Sequence, residues 1–354
     1  MEGLAGRSVA VTGAGGFIGR ALCARLTSEG ALVSGLDVDE SLGGRVTGSG
    51  ATFRRCDTTD AGGVRAALKG AELVVHAAAL VSDWGAMADF VRVNVGGTRN
   101  VLDAAEQLGC ERLVHVSSVA TWGYEHRVEL DEDSPPRPCG IPYIDTKGAS
   151  DALALDRARR GEPVAVVRPG DVYGPGSTPW AVRPLEAMRA NRFMLIGRGQ
   201  GVMTPVYIDD LVQSILLALT VPGATGRGYT AWDGAPVSAE EFFNHYARML
   251  GRDRIPRLPR FLAGIAAGAQ EAVALATGKP PLFTRNAMSF VSRRAPYSNR
   301  RARELLGWEP RVGLEEGMRR TEVWFRQEGL LSDESQDAEA SSAASSHEHK
   351  KPAD

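Results

Sequence analysis

A short β-branched run at 8–12, SVAVT, leads directly into TGAGGFIG, so that Gly13, Gly16 and Gly19 recur at three-residue intervals ahead of an amphipathic helical pattern. Each glycine has its own physical task. Gly13 permits a sharp turn out of the strand, Gly16 lets the backbone approach a bound anion, and Gly19 lets the helix pack closely on the strand. Phe17 and Ile18 open the helix, where the first N–H groups have no intrahelical partner and the positive dipole end favours a phosphate. Such a turn commits the chain to a strand–helix unit whose ligand lies beyond the strand's C-terminal end.

The same alternation continues to about residue 170. The runs ALVSGLD, ATFRRCD, ELVVHAAA, RLVHVSS and PVAVVRPG are separated by helix-length segments, giving six apolar strands for a parallel sheet covered on both faces. The fold class is therefore α/β, a Rossmann-like doubly wound parallel sheet. Beyond Gly174 the pattern becomes Pro- and Gly-punctuated, with helices near 181–190, 209–219, 238–250, 261–277 and 313–328. We expect residues 1–174 to form the dinucleotide-binding domain and 175–331 a smaller mixed substrate domain that exchanges segments with the first. Residues 332–354 lack aromatic and large aliphatic side chains and are expected to be a disordered tail.

Composition excludes several classes. The 354 residues carry a formal net charge of −2, which provides no global basic field for nucleic acid. The cysteines, Cys23, Cys56, Cys110 and Cys139, lack metal-knuckle or dithiol spacing and read as reduced thiols, and no metal site is expected. No secretory signal opens the chain and no segment has the roughly 20 apolar residues of a spanning helix, so a cytoplasmic location is expected. The most apolar late segment, with Phe261, Leu262, Ile265 and Leu275, reads either as a core helix or as cover for an apolar pocket.

The second strand ends in Asp37, 18 residues after Gly19, where a carboxylate hydrogen-bonds the adenosine ribose hydroxyls of a dinucleotide. A carboxylate there repels a 2′-phosphate, so NAD is favoured over NADP. Asp57 follows the third strand and suits either the adenine amino group or a helix N-cap. Downstream, PYIDTKG places Tyr143 and Lys147 four residues apart on one helical face. Using a phenol as a base near neutral pH requires lowering its pKa by about 3 units, or about 4 kcal/mol. The Lys147 ammonium and the charge of an oxidised nicotinamide are suited to supply this, and Lys147 to hold the nicotinamide ribose. Ser118, at the end of the fifth strand, would direct its hydroxyl at the same reacting oxygen. Ser117 is its rival, and adjacent strand residues face opposite sides, so only one of them reaches the site.

Taken together, TGAGGFIG, HAAA at 76–79, VNVGGTRNVL, SSVATWG, YIDTK and RPGDVYGPG resemble the extended short-chain dehydrogenase/reductase family, colinearly from about 7 to 330. Within it, HAAALVSDWG at 76–85, PYIDTKGASD at 142–151 and the stretch 289–325 most resemble the 3β-hydroxysteroid dehydrogenases and sterol 4α-carboxylate 3-dehydrogenases. The resemblance implies that Ser118, Tyr143 and Lys147 are catalytic, that Asn94 orders the active-site helix, that Ala77 lies along the cofactor, and that Pro169 follows the strand beside the nicotinamide. Two departures stand out. Trp122 replaces a common Tyr, and Asp171 puts a carboxylate either toward the pocket or, as a loop residue, toward solvent.

The activity this implies is NAD-dependent interconversion of a hydrophobic secondary alcohol and ketone, 3β-hydroxysteroid dehydrogenase-like. A nucleotide-sugar epimerase or dehydratase shares the fold and the catalytic residues, but Met203, Thr204 and Pro205 stand where such enzymes usually carry a cation for the phosphates. A non-catalytic NAD(H)-sensing protein is the other alternative. The expected partner is a small hydrophobic substrate, with peripheral membrane contact and a homodimer left open.

Overall fold

The computed structural model describes residues 3–281 and 283–331; the expected disordered tail lies outside them. Seven parallel strands form the main sheet: β1 (Ser8–Thr12), β2 (Leu32–Asp37), β3 (Thr52–Arg55), β4 (Leu73–His76), β5 (Arg112–Val116), β6 (Val164–Pro169) and β7 (Gly228–Ala231). Their spatial order is β7-β6-β5-β4-β1-β2-β3. The inner strands β4, β5 and β6 read LVVH, RLVHV and VAVVRP because both faces are covered, and they are buried almost throughout. The edge strand β3, TFRR, is half-buried at Phe53 and otherwise exposed.

Successive residues of each strand feed opposite layers. Val9, Val11, Val75 and Val114 pack under α1 (Phe17–Ser28) through Leu22 and Leu26, and under α5 (Ile208–Thr220) through Leu211 and Ile215. Ala10, Val74, Leu113 and Val166 pack on the other side against Val64 of α2 (Ala61–Leu68), Val101 of α3 (Gly97–Gln107) and Ala154 of α4 (Pro142–Arg159). β7 comes from beyond residue 174 and pairs with β6 from Gly228↔Val166 to Ala231↔Pro169, so the later part of the chain completes the sheet. The rest of that part is mostly helical, and among the described residues three short strand pairs lie outside the main sheet, one of them joining Asp171–Tyr173 to Pro205–Tyr207.

The helix α6 (Arg260–Thr277) departs from both expectations for its segment. Phe261, Leu262, Ile265 and Leu275 are 68%, 41%, 66% and 78% exposed, while Ala263, Ala267 and Ala274 are its buried residues. It is neither a core helix nor a pocket lining made by those four side chains.

Strand order reverses between β1 and β4, so the loops leaving these strands diverge and open a crevice at their C-terminal ends. Gly13 has φ +68, and a Cβ on it would lie 2.8 Å from Ala78 backbone atoms in the loop after β4. A Cβ on Gly19 would lie 2.1 Å from the Gly13 carbonyl and 2.7 Å from Ala14 Cα. Gly19→Ala must therefore push α1 off β1. The expected loss is about 1–3 kcal/mol of unfolding free energy, as for other overpacked sites. Denaturant unfolding that matches the unsubstituted chain would refute this packing role.

Candidate active site

At the crevice, Gly16 caps α1 at the exposed apex of the turn, with Phe17 and Ile18 half-buried behind it. Asp37 lies across from the turn and binds it directly: the Gly15 N–H donates to Asp37 Oδ2 at 2.9 Å and the Asp39 N–H to Oδ1 at 3.1 Å. These bonds aim the carboxylate along the edge of the glycine turn. Ala77 follows β4 on the opposite wall and donates from its backbone to Thr12 O at 3.3 Å. The glycine apex, the open helix N-terminus and the carboxylate at the end of β2 fit a dinucleotide laid across the crevice. Of the two roles open to Asp57, the helix cap falls to Asp60, which accepts from Gly62 N. Asp57 instead turns its own loop, accepting the Thr59 N–H at 2.9 Å.

The walls of the crevice are tied together by a buried polar chain. Thr12 Oγ1 lies 2.8 Å from His76 Nδ1, and His76 Nε2 lies 3.0 Å from Thr98 Oγ1. Thr98 spends its hydroxyl proton on the Asn94 carbonyl at 2.6 Å, so His76 must donate from Nε2 and accept at Nδ1. Burial pushes His76 down to about 3, which keeps it neutral for that relay of hydrogen bonds. Asn94 sits in the π-turn Val91–Gly96 that precedes α3. Its amide donates to Leu80 O and to Thr146 Oγ1, each at 3.1 Å, and its carbonyl accepts the Leu80 N–H at 2.7 Å. Asn94 thereby joins the loop after β4 to the turn of α4 between Tyr143 and Lys147.

α4 begins at Pro142, a residue preorganised for a first helical turn, and so puts Tyr143 at its mouth and Lys147 one turn deeper. Burial raises the Tyr143 phenol above its usual range, with the nearby Asp83 carboxylate adding to the rise and the Ser118 hydroxyl pulling against it. Ser118 also caps the short helix Val119–Trp122 by accepting the Ala120 N–H at 3.1 Å. The Ser117 hydroxyl is buried and has no hydrogen-bond partner among the described residues. The Lys147 ammonium donates to Val116 O at 2.7 Å, and burial brings it down to about 8, against the pull of Asp151. Pro169 ends β6 beside this group, backed by β7.

Sequence reasoning missed the wall facing Tyr143. Tyr124 packs edge-on to Phe290 of α7 (Arg285–Phe290) at 4.8 Å between ring centroids, and Trp180 lies 4.7 Å from the same ring. Ile141 and Tyr143 adjoin this cluster. Asp83 accepts from Asn286 Nδ2 at 2.8 Å. Asp83 follows a strand C-terminus, which was a usable signal; nothing local marks Asn286 and Phe290, which arrive from a segment more than 140 residues beyond Tyr143.

Asp171 corrects the solvent reading. It is 2% exposed, accepts the Thr204 N–H at 2.8 Å and is ion-paired with Arg293, which is 1% exposed. Arg293 also donates to Val202 O at 3.1 Å and lies 4.2 Å over the Phe290 ring. A cation therefore does stand beside Met203–Pro205, supplied from far along the chain, but Asp171 neutralises it. Trp122 is a core residue, stacked on Tyr297 and donating to Ser134 O at 2.8 Å.

Residues 9–230 match the NAD-dependent epimerase/dehydratase family. A 2-alkyl-3-oxoalkanoate reductase of Stenotrophomonas maltophilia is 31% identical over 88% of this chain and 97% of its own. A 3beta-hydroxysteroid-dehydrogenase/decarboxylase of Arabidopsis thaliana is 30% identical over 72% of this chain and 62% of its own. Among solved structures, the dTDP-glucose 4,6-dehydratase DesIV of Streptomyces venezuelae, with NAD and TYD bound, superposes with a TM-score of 0.74 at 25% identity, covering 92% of this chain and 99% of that one.

Removing one member of a buried ion pair strands the other charge. Arg293→Met should therefore lower unfolding free energy by about 3–5 kcal/mol, and Asp171→Leu in the same chain should restore most of it. A double variant as unstable as the single one in urea would refute the pairing.

Proposed function

The chain belongs to the NAD-dependent epimerase/dehydratase family, and from that premise we propose that it interconverts a hydrophobic secondary alcohol and its ketone. One observation carries this reading. The wall opposite Tyr143 is aromatic, and the guanidinium beside Met203–Pro205 is buried and neutralised by Asp171. A diphosphate placed beside Met203–Pro205 would find that guanidinium already paired, whereas an apolar skeleton gains about 25 cal/mol per Å² buried. The names of the reductase and dehydrogenase relatives, one for 2-alkyl-3-oxoalkanoates and one for 3β-hydroxysteroids, support an oxygen-bearing carbon on a largely apolar framework. A 3β-hydroxysteroid-like ring is the leading substrate class.

In this reading Gly13, Gly16 and Gly19, with the N–H groups of Phe17 and Ile18, hold the NAD pyrophosphate, and Asp37 the adenosine ribose. Asp57 and Ala77 line the adenine side and the strand crevice, and Pro169 the nicotinamide side. NAD supplies a hydride acceptor at the nicotinamide when bound. Tyr143 takes the proton from the substrate hydroxyl during oxidation and returns it during reduction, while Ser118 orients the same oxygen. Lys147 holds the nicotinamide ribose, and its charge opposes protonation of the phenolate. Asn94 acts at one remove, by holding α4 through Thr146.

Two measurements test this. Tyr143→Phe should retain NAD affinity and lose at least about a hundredfold in turnover, the lower end of general acid–base contributions. Turnover is followed at 340 nm with 3β-hydroxysteroids, 2-alkyl-3-oxoalkanoates and nucleotide sugars. Near-normal turnover of the variant, or a response to nucleotide sugars alone, would overturn the reading. Asp37→Ala should weaken NAD far more than NADP in calorimetry; equal loss for both would remove Asp37 from the ribose site.

A further inference from the structure

The helix α6 is built inside out. A helix lying on a globular protein normally turns its large apolar residues inward. Here the buried positions are Ala263, Ala267 and Ala274, and the outward ones are Phe261, Leu262, Ile265, Val273 and Leu275, with Val273 60% exposed. Ala266, Ala269, Ala272 and Ala276 are also exposed and fill the spaces between them, so one stripe runs the length of the helix without a polar residue. The mid-helix polar residues of α6 turn back to the protein, Gln270 accepting the Phe283 N–H at 3.0 Å and Glu271 the Arg285 N–H at 2.7 Å, while Arg260 and Thr277 stand exposed at its two ends. Contiguous apolar surface of this kind marks a place that something covers.

The surrounding charge identifies what does. Although the whole chain carries −2, residues 251–285 hold six basic side chains against two acidic ones. Arg254 and Arg260 are exposed at the N-terminal end of the helix and Lys279 is exposed beyond its C-terminal end, while Arg257 is engaged by Glu240 and Arg285 by Glu271. A second copy of this chain would bring the same positive surface against itself. An anionic bilayer presents an apolar interior beneath a negative headgroup layer, which matches an apolar stripe flanked by arginines. At 18 residues and with Gln270 and Glu271 in its middle, α6 suits lying in the interface plane, and among the described residues no helix is long and apolar enough to cross a membrane.

We propose that α6 docks the protein on anionic lipid surfaces. The docked face adjoins the active site through α7: α6 packs against it, and α7 carries Asn286, bonded to Asp83, and Phe290, stacked in the wall opposite Tyr143. A lipophilic ketone held in a bilayer would therefore lie one short helix away from the pocket. The docking itself stands on α6 and its charges and does not depend on the identity of the substrate.

The test uses the full chain and no substrate, so it succeeds or fails separately from the catalytic reading. Co-sedimentation is measured with vesicles of phosphatidylcholine alone and of phosphatidylcholine mixed with phosphatidylglycerol. The unsubstituted protein should pellet with the anionic vesicles, less so as salt rises. The exposed pair Ile265→Glu and Leu275→Glu should reduce binding by about tenfold or more, as should Arg254→Glu with Arg260→Glu. NAD affinity and the thermal transition, measured alongside, should be unchanged because these side chains face outward. Protein left in the supernatant with anionic vesicles, or equal binding to both compositions, would overturn the proposal. So would an unchanged vesicle affinity in the Ile265/Leu275 variant accompanied by conversion of a dimer to a monomer in light scattering, which would assign the stripe to a second copy of the chain.

Discussion

The reversal of strand order between β1 and β4 is the constraint on which the remaining organisation rests. A parallel sheet sends every connection over a face, and where successive connections depart in opposite directions the strand ends are left uncovered. The gap is narrow because Gly13 brings the first loop into contact with Ala77 and Ala78, and Gly19 brings α1 down onto the turn. Every residue assigned here to the cofactor or the reaction stands at or beyond a strand's C-terminal end or on a helix that follows one.

Polar groups placed in this low-dielectric setting must satisfy one another. The chain from Thr12 through His76 and Thr98 to Asn94 does so, each ring nitrogen meeting one hydroxyl and the Thr98 hydroxyl accepting from His76 while donating to the Asn94 carbonyl. Its end point is Thr146, between the two functional positions of α4. The Asp171–Arg293 pair does a related job elsewhere, locking the segment after β6 to the segment carrying α7. A buried ion pair contributes little net stability compared with an apolar pair, but it tolerates few alternative arrangements. It therefore fixes the segment carrying Phe290 against the segment after β6, and it neutralises the guanidinium beside Met203–Pro205.

Two apolar surfaces, the aromatic cluster around Phe290 and the outward stripe of α6, are joined by α7. On its inner side Phe290 closes the aromatic wall, and on its other side it supports α6 with its outward apolar stripe. The inversion of α6 is unfavourable for a chain surrounded only by water, since alanines gain little from burial and the larger side chains remain hydrated. Its persistence along five turns is a property of the surface, not of the core.

What the amino-acid sequence determined by itself is everything set by short-range periodicity. The alternation of apolar strands with helical spacing defined the parallel sheet, the glycine intervals defined the turn, and a four-residue separation put Tyr143 and Lys147 on one face of a helix whose φ and ψ leave no other choice. Asp37 was legible because a strand end is a position along the chain. Tertiary structure decided the rest: that Ser118 rather than Ser117 meets the phenol, that Lys147 reaches Val116 O, that Asp171 is buried against Arg293, and that α6 turns Phe261, Ile265 and Leu275 outward. Each of these depends on which element arrives opposite, more than 100 residues away in the case of Arg293. Hydrophobic pattern states that a face must be covered, and carries no information on whether protein or lipid covers it.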